Sequence, residues 1–136
     1  MVRAKLVGAH NDPQGFYGIR FNCPCGLASI LPVHWLPEGY THECDYLAGK
    51  PHWNFNGNLL LPTFQPSILK SIGPLDDAEV CAYYSERVGW NFQVGQTFIC
   101  HSFVTDGRIQ FLGDCTHRYA NQTLDLPDIG ANYVEV

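Results

Sequence analysis

Cys100, His101, Cys115 and His117 place four potential metal ligands in one short stretch of this 136-residue chain. Thiolate and imidazole together suit a borderline-soft ion such as zinc. Asp106-Gly107 divides the stretch into two alternating apolar runs. That is a strong hairpin signal, because a type I′ turn needs φ > 0 at both central residues. With Thr105 opposite Arg108, the register predicts Val104 opposite Ile109, Ser102 opposite Phe111, Cys100 opposite Gly113 and Phe98 opposite Cys115. Cys100 and Cys115 then become diagonal neighbours on one face, close enough for two thiolates to share an ion. His117 continues that face. His101 and Asp114 fall on the opposite face with Phe103 and Leu112, since side chains alternate along a strand.

A second thiol pair lies at Cys23-Pro24-Cys25-Gly26, where Pro and Gly set a tight turn between two strand-like runs. A disulfide across so short a span would be strained, which leaves a metal or two free thiols. The expected metal set is therefore Cys23, Cys25, Cys100 and Cys115, with His117 as a substitute for Cys115, and the expected cofactor is Zn²⁺. A closed thiolate shell is structural. It would staple the N-terminal strands to the C-terminal hairpin and add directly to folding free energy. With only three protein ligands, the open position could activate a water, and His101, Asp114 and His117 are the candidate catalytic groups. The diagonal placement of His101 and Asp114 suits a carboxylate orienting an imidazole. The chain contains no His-Glu-x-x-His, Gly-x-Ser-x-Gly or zinc-deaminase pattern. Iron–sulfur spacing is also missing.

The elements that must position these groups read as mainly β. Strands are predicted over 4–9, 15–22, 27–33, 80–84, 97–104, 123–126 and 133–136, with a second hairpin over 53–61 turning at Asn56-Gly57. Two prolines in 62–68 predict an extended edge or loop segment and argue against a central strand. Residues 34–52 form a long insertion containing His34, His42, Cys44 and His52, with one helical turn at 45–48. Asp76-Asp77-x-Glu79 reads as a solvated turn, and 118–122 as one helical turn. The expected fold is a single domain over 1–136 with small α content: an antiparallel hairpin-rich sheet or partly open barrel, stapled by a zinc knuckle.

Composition supports a compact chain, with 46% hydrophobic and 15% charged residues. A net charge of −5 gives no general electrostatic footprint for nucleic acid. No apolar run approaches the roughly 20 residues of a membrane helix, and no signal-peptide pattern opens the chain. A soluble, cytoplasmic protein is expected, whose six cysteines meet a reducing compartment. Cys81 is expected to be a core thiol.

Several motifs resemble a family of small phage and prophage proteins of unknown function, often labelled ammonia monooxygenase. They are Trp53-x-Phe55-Asn56-Gly57, Pro62-Thr63-Phe64-x-Pro66-Ser67, the stretch from Cys100 to His117, and Asn121-Gln122-Thr123-x-Asp125-Leu126-Pro127. The label describes a large membrane-bound copper enzyme, which this chain does not match. The resemblance spans residues 20–128 and implies a mobile-element origin, a host-cell cytoplasmic location and a zinc site. Aromatic residues near turns, Trp53, Phe55, Trp90 and Phe92, add the expectation of a protein partner. The first functional expectation is thus a zinc-stabilised β protein acting as a protein-binding accessory, host-interaction or counter-defence module. The second is a zinc-dependent hydrolase, such as a peptidase, using His101, Asp114 and His117.

Overall fold

Alternation of buried and exposed side chains organises the chain into two sheets. The computed structural model describes residues 1–130. In chain order the elements are β1 (Lys5–Ala9), β2 (Asp12–Asn22), β3 (Ala28–Leu31), β4 (His42–Glu43), a 3-10 turn (Asp45–Leu47), β5 (Asn54–Phe55), β6 (Phe64–Ile72), α1 (Ala78–Val88), β7 (Phe98–Thr105), β8 (Arg108–Phe111) and β9 (Thr123–Asp125). The first sheet runs β1-β2-β3, antiparallel, with β4 added parallel to β2. The second runs β5-β6-β7-β8-β9, all antiparallel. The fold is accordingly mainly β and mostly antiparallel, and it is not a closed barrel. No helix of the described residues is long and apolar enough to cross a membrane.

The sheets bury their facing aromatic residues against each other. Phe21 of β2 stacks on Phe64 of β6 at 5.6 Å between ring centroids, and Phe64 stacks in turn on Phe55 at 5.1 Å. Phe16, Ile19, Phe98, Val104, Ile109, Phe111 and Leu126 complete the core. Along β7, Phe98, Cys100, Ser102 and Val104 point inward while His101 and Phe103 point out. The Asp106-Gly107 turn has φ of 50° and 77°, as a type I′ turn requires. Its register is the predicted one from Thr105↔Arg108 through Ser102↔Phe111. Beyond Phe111 the ladder stops and residues 112–117 fold back, with Leu112 N–H donating to His101 C=O and Thr116 N–H to Ile99 C=O.

Three expectations are corrected. Residues 80–84 are helical, within α1, because Asp77 caps the helix by accepting from Val80 N–H at 2.8 Å and Gly89 closes it with φ 67°. Only Cys81 and Val88 of that helix are buried, so the apolar run never needed a sheet. Cys81 is the core thiol expected. The hairpin over 53–61 does not form, since β5 pairs instead with Gln65 and Phe64 of β6. Residues 62–68 lead into a strand interior to its sheet, Pro66 being accommodated where the β6–β7 register shifts. The strand expected at 133–136 lies outside the described residues.

The 34–52 insertion is ordered by its own contacts. Leu47 of the 3-10 turn is buried, and Cys44 N–H donates to Phe16 C=O at 2.8 Å. Both ring nitrogens of His52 face acceptors, Nδ1 the Lys50 carbonyl at 2.6 Å and Nε2 the Glu43 carboxylate. Burial pulls the His52 pKa down, but the hydrogen bonds to Glu43 and Lys50 outweigh it and the net shift is upward from 6.5. A raised folded pKa stabilises the fold fully below the unfolded value and loses that contribution as pH rises through the folded one. His52→Gln should therefore lower the thermal midpoint more at about pH 6 than at about pH 9. Equal losses at the two pH values would show that the pair does not titrate.

Candidate functional site

On the outer face of the second sheet, a serine, a histidine and an aspartate form one hydrogen-bonded chain. Leu69 of β6 pairs with His101 of β7, and Ser67, two residues away, lies on the same face. Between the pairs Phe64↔Val104 and Ile68↔Ser102, residues 65–67 stand opposite Phe103 alone. Such a bulge bends the strand and re-aims its side chains. Ser67 Oγ comes to 3.2 Å from His101 Nε2, and His101 Nδ1 lies 3.1 Å from Asp114 Oδ2. A carboxylate at Nδ1 holds the ring proton there and leaves the Nε2 lone pair for the serine hydroxyl. Nucleophile, base and orienting group thus stand in the order that acyl transfer requires. The indole N–H of Trp53 donates to the Ser67 carbonyl at 3.1 Å and fixes the backbone of the bulge.

The structure brings His101 and Asp114 together, as the hairpin register anticipates, and adds Ser67, which the sequence reading does not include among the candidate site residues. Ser67 stands 34 positions before His101 with no local pattern around it. Ser67 does close one of the motifs that carry the family resemblance, Pro62-Thr63-Phe64-x-Pro66-Ser67. His117 is separated from this group. It is 1% exposed, with its ring 4.6 Å from that of Phe111 on the inner side of the sheet.

Behind the same strand lies a buried cluster of sulfur. Cys23, Cys25 and Cys100 place their ligand atoms within 4.8 Å of one another, and Cys100, Cys115 and His117 do the same, all five residues being buried. Cys100 belongs to both groups. The predicted cysteines and the substitute His117 thus fall into two adjoining groups that share Cys100, each of which could hold a metal ion. Four thiolates about one zinc ion stand roughly 3.8 Å apart, inside that envelope. His42, Cys44 and His52 take no part in these groups. Hydrogen bonds from Cys100 and Cys23 hold the Cys25 thiol far below its ordinary value, with the Lys70 charge assisting. Cys100 is pushed up because it donates to Cys23 and Cys25 and is buried. Lys70 Nζ lies 3.7 Å from Cys25 Sγ and donates to Leu27 C=O at 3.1 Å. Cys25 is thus the one member held toward thiolate, the ligand form a metal takes, while Cys23, Cys100 and Cys115 are shifted up toward the thiol.

The knuckle is seated on the end of α1. Gly26 N–H donates to Cys23 C=O at 3.1 Å, and Gly26 has φ 112°. A Cβ there would stand 2.3 Å from Arg87 C=O. Gly26→Ala should accordingly cost about 1–3 kcal/mol of stability and loosen any bound metal, read by thermal unfolding and metal content. A variant with unchanged midpoint and metal content would show that the knuckle does not depend on this seat.

The cluster and the hydrogen-bonded Ser67–His101–Asp114 chain share two peptide links, Cys100-His101 and Asp114-Cys115. They also share hydrogen bonds, since His101 N–H donates to Cys115 Sγ at 3.3 Å and Cys115 S–H donates to His101 C=O at 3.2 Å. No curated protein and no solved structure matches the chain. The family model described as "Bacterial ubiquitination-like system serine protease (BubE)" matches residues 3–112. That span includes Ser67 and His101 and stops two residues short of Asp114. The match covers most of the chain, and the chain belongs to the BubE family of bacterial ubiquitination-like system serine proteases.

Proposed function

We propose that this protein is a serine peptidase of a bacterial ubiquitination-like system, with Ser67 as nucleophile, His101 as general base and then acid, and Asp114 as the group that positions His101. The observation that carries this reading is the chain of hydrogen bonds from Ser67 Oγ through His101 to Asp114. Ser67 Oγ attacks the scissile carbonyl while its proton passes to His101 Nε2. The C–N bond then breaks and the proton goes to the leaving amine. Water attacks the acyl-serine, giving a proton to Nε2, and the acid product leaves as Ser67 regains its hydrogen. The protein partner expected from the sequence is on this reading a polypeptide substrate. The family description and the hydrogen bonds from Ser67 through His101 to Asp114 support serine chemistry over the zinc-hydrolase alternative.

The buried cluster is read as a structural zinc site held by Cys23, Cys25, Cys100 and Cys115. His117 Nδ1 accepts from Tyr119 N–H at 3.1 Å, so a neutral ring carries its proton on Nε2 and offers no free lone pair. Nε2 is buried without a hydrogen-bond partner among the described residues, and it suits an N–H donor facing thiolate better than a ligand. Zinc supplies cross-linking of the two sheets, and no catalytic step passes through it. The test of the peptidase reading is labelling by a short alkyl fluorophosphonate followed by peptide mapping. A single adduct on Ser67, absent in His101→Ala, is expected; an unlabelled protein would end the reading.

A further inference from the structure

A cleft of about 320 Å³ opens beside the bulge, between β3 and β6. Its walls include Ser29, Ile30, Pro51, Trp53, Ile68 and Leu69. Ile68 directly follows the nucleophile in the chain. We propose that this cleft seats an extended, apolar segment of the polypeptide substrate and fixes which bond reaches Ser67. The inference rests on the peptidase reading and assigns its substrate subsite.

The first argument is the pair of strand edges. Among the described residues β3 takes only β2 as a strand partner, and β6 meets β5 only at Phe64 and Gln65, so its residues 68–72 pair with β7 alone. Edges of this kind are satisfied by another extended backbone, which is how many domains capture peptides. The gap is closed at both ends by side chains reaching across to main chain. Trp53, whose N–H donates to Pro32 C=O in the first sheet, donates through its indole to Ser67 in the second. Lys70 reaches Leu27 at the other end.

The second argument is the lining. Ser29 is 4% exposed and its Oγ has no hydrogen-bond partner among the described residues. Buried hydroxyls are ordinarily paired, and this one lines the cleft, where a peptide carbonyl or amide would satisfy it. Around it the walls are aliphatic and aromatic, with Lys50 and Lys70 as their charged members. The apolar character continues onto the catalytic face, where Leu69, opposite His101, is 58% exposed and Phe103 is 43% exposed. Large exposed apolar groups flanking a nucleophile mark a docking surface better than they mark a solvated sheet. An aliphatic side chain next to the scissile bond fits this lining, and a cationic one, facing Lys50 and Lys70, does not.

The experiment profiles cleavage of a proteome-derived peptide library by mass spectrometry and, in parallel, the rate of Ser67 labelling by a short alkyl fluorophosphonate. The parent protein should cut with Val, Leu or Ile enriched at a fixed position beside the scissile bond. Ile30→Arg, on the far wall from the catalytic chain, should lower kcat/KM on a selected peptide by about tenfold or more while labelling proceeds as in the parent. Ser29→Ala, which leaves the fold unburdened, should weaken the preference in the same direction. A labelled parent that cuts without apolar preference would overturn the assignment, as would an Ile30→Arg variant that keeps the parental profile and rate. Ile30→Arg losing labelling in step with cleavage would make Ile30 a support of the catalytic chain and overturn it too. A parent that is not labelled brings down the peptidase reading itself, and the cleft assignment with it.

Discussion

Ser67→Ala abolishes peptide-bond cleavage and fluorophosphonate labelling while leaving thermal unfolding close to that of the parent. The expected loss in kcat is on the order of 10⁴–10⁶, the range found when a nucleophile or base is removed from a serine protease. The fold should tolerate the change because the Ser67 hydroxyl makes its one side-chain hydrogen bond to His101 at the protein surface, and the Trp53 bond goes to the backbone. His101→Ala should cost as much, since without Nε2 the serine proton has no acceptor. Asp114→Asn should cost less. Its side chain is 54% exposed, and water competes for Nδ1–H far more than in a buried dyad, so a loss of about 10–100-fold is expected against about 10⁴ for a buried orienting aspartate. The three variants are read by steady-state cleavage of a peptide selected from the library, with labelling as the second measure. Retained turnover in Ser67→Ala, or an adduct that moves to Ser71 or Ser102, would remove Ser67 from its role.

How much of this was legible beforehand depends on sequence distance. The Asp106-Gly107 turn dictates a local register, and local register alone separates Cys100 from His101 and puts His101 beside Asp114. The cysteines were readable for a different reason: thiols in a chain without an evident disulfide logic have few uses, and Cys23, Cys25 and Cys100 form one group while Cys100 and Cys115 belong to a second. Ser67 was not readable. Its place in the site depends on β6 pairing with β7 across the intervening α1, and on a bulge that no periodicity announces. The prolines around it argued against an interior strand, a rule that a bulged register evades. The same kind of failure affected α1, where Val80 to Tyr84 have strand-like composition but a cap at Asp77 and a weakly buried face make helix the cheaper state. Phe55 shows the converse. Its segment is expected to turn on itself at Asn56-Gly57, yet the Phe55 ring packs against Phe64 and Trp35, and the segment joins β6 instead.

Removing the metal expected at the cysteine cluster should unfold the protein or leave it unable to hold its catalytic chain. Cys23 and Cys25 come from the turn between β2 and β3, Cys100 from β7, and Cys115 from the segment after β8, so one ion would join both sheets. Structural zinc sites contribute on the order of 10 kcal/mol to folding, against a whole-domain stability of about 5–15 kcal/mol. Cys100→Ala is therefore expected to lose the ion and to lower the thermal midpoint by more than about 10 °C. Cys44→Ala, outside the cluster, should keep both. Mild chelation should act first on the site behind it, because His101 and Asp114 each adjoin a cluster cysteine and Cys115 Sγ accepts from the His101 backbone N–H. Ser67 labelling should then fall in proportion to the zinc removed, and readdition of zinc should restore it. Protein purified without stoichiometric metal, or a Cys100→Ala variant as stable as its parent, would show that burial alone holds the thiols. In that case the thiols act only as core residues beneath the catalytic face, and the alignment of His101 with Asp114 depends on the hairpin alone.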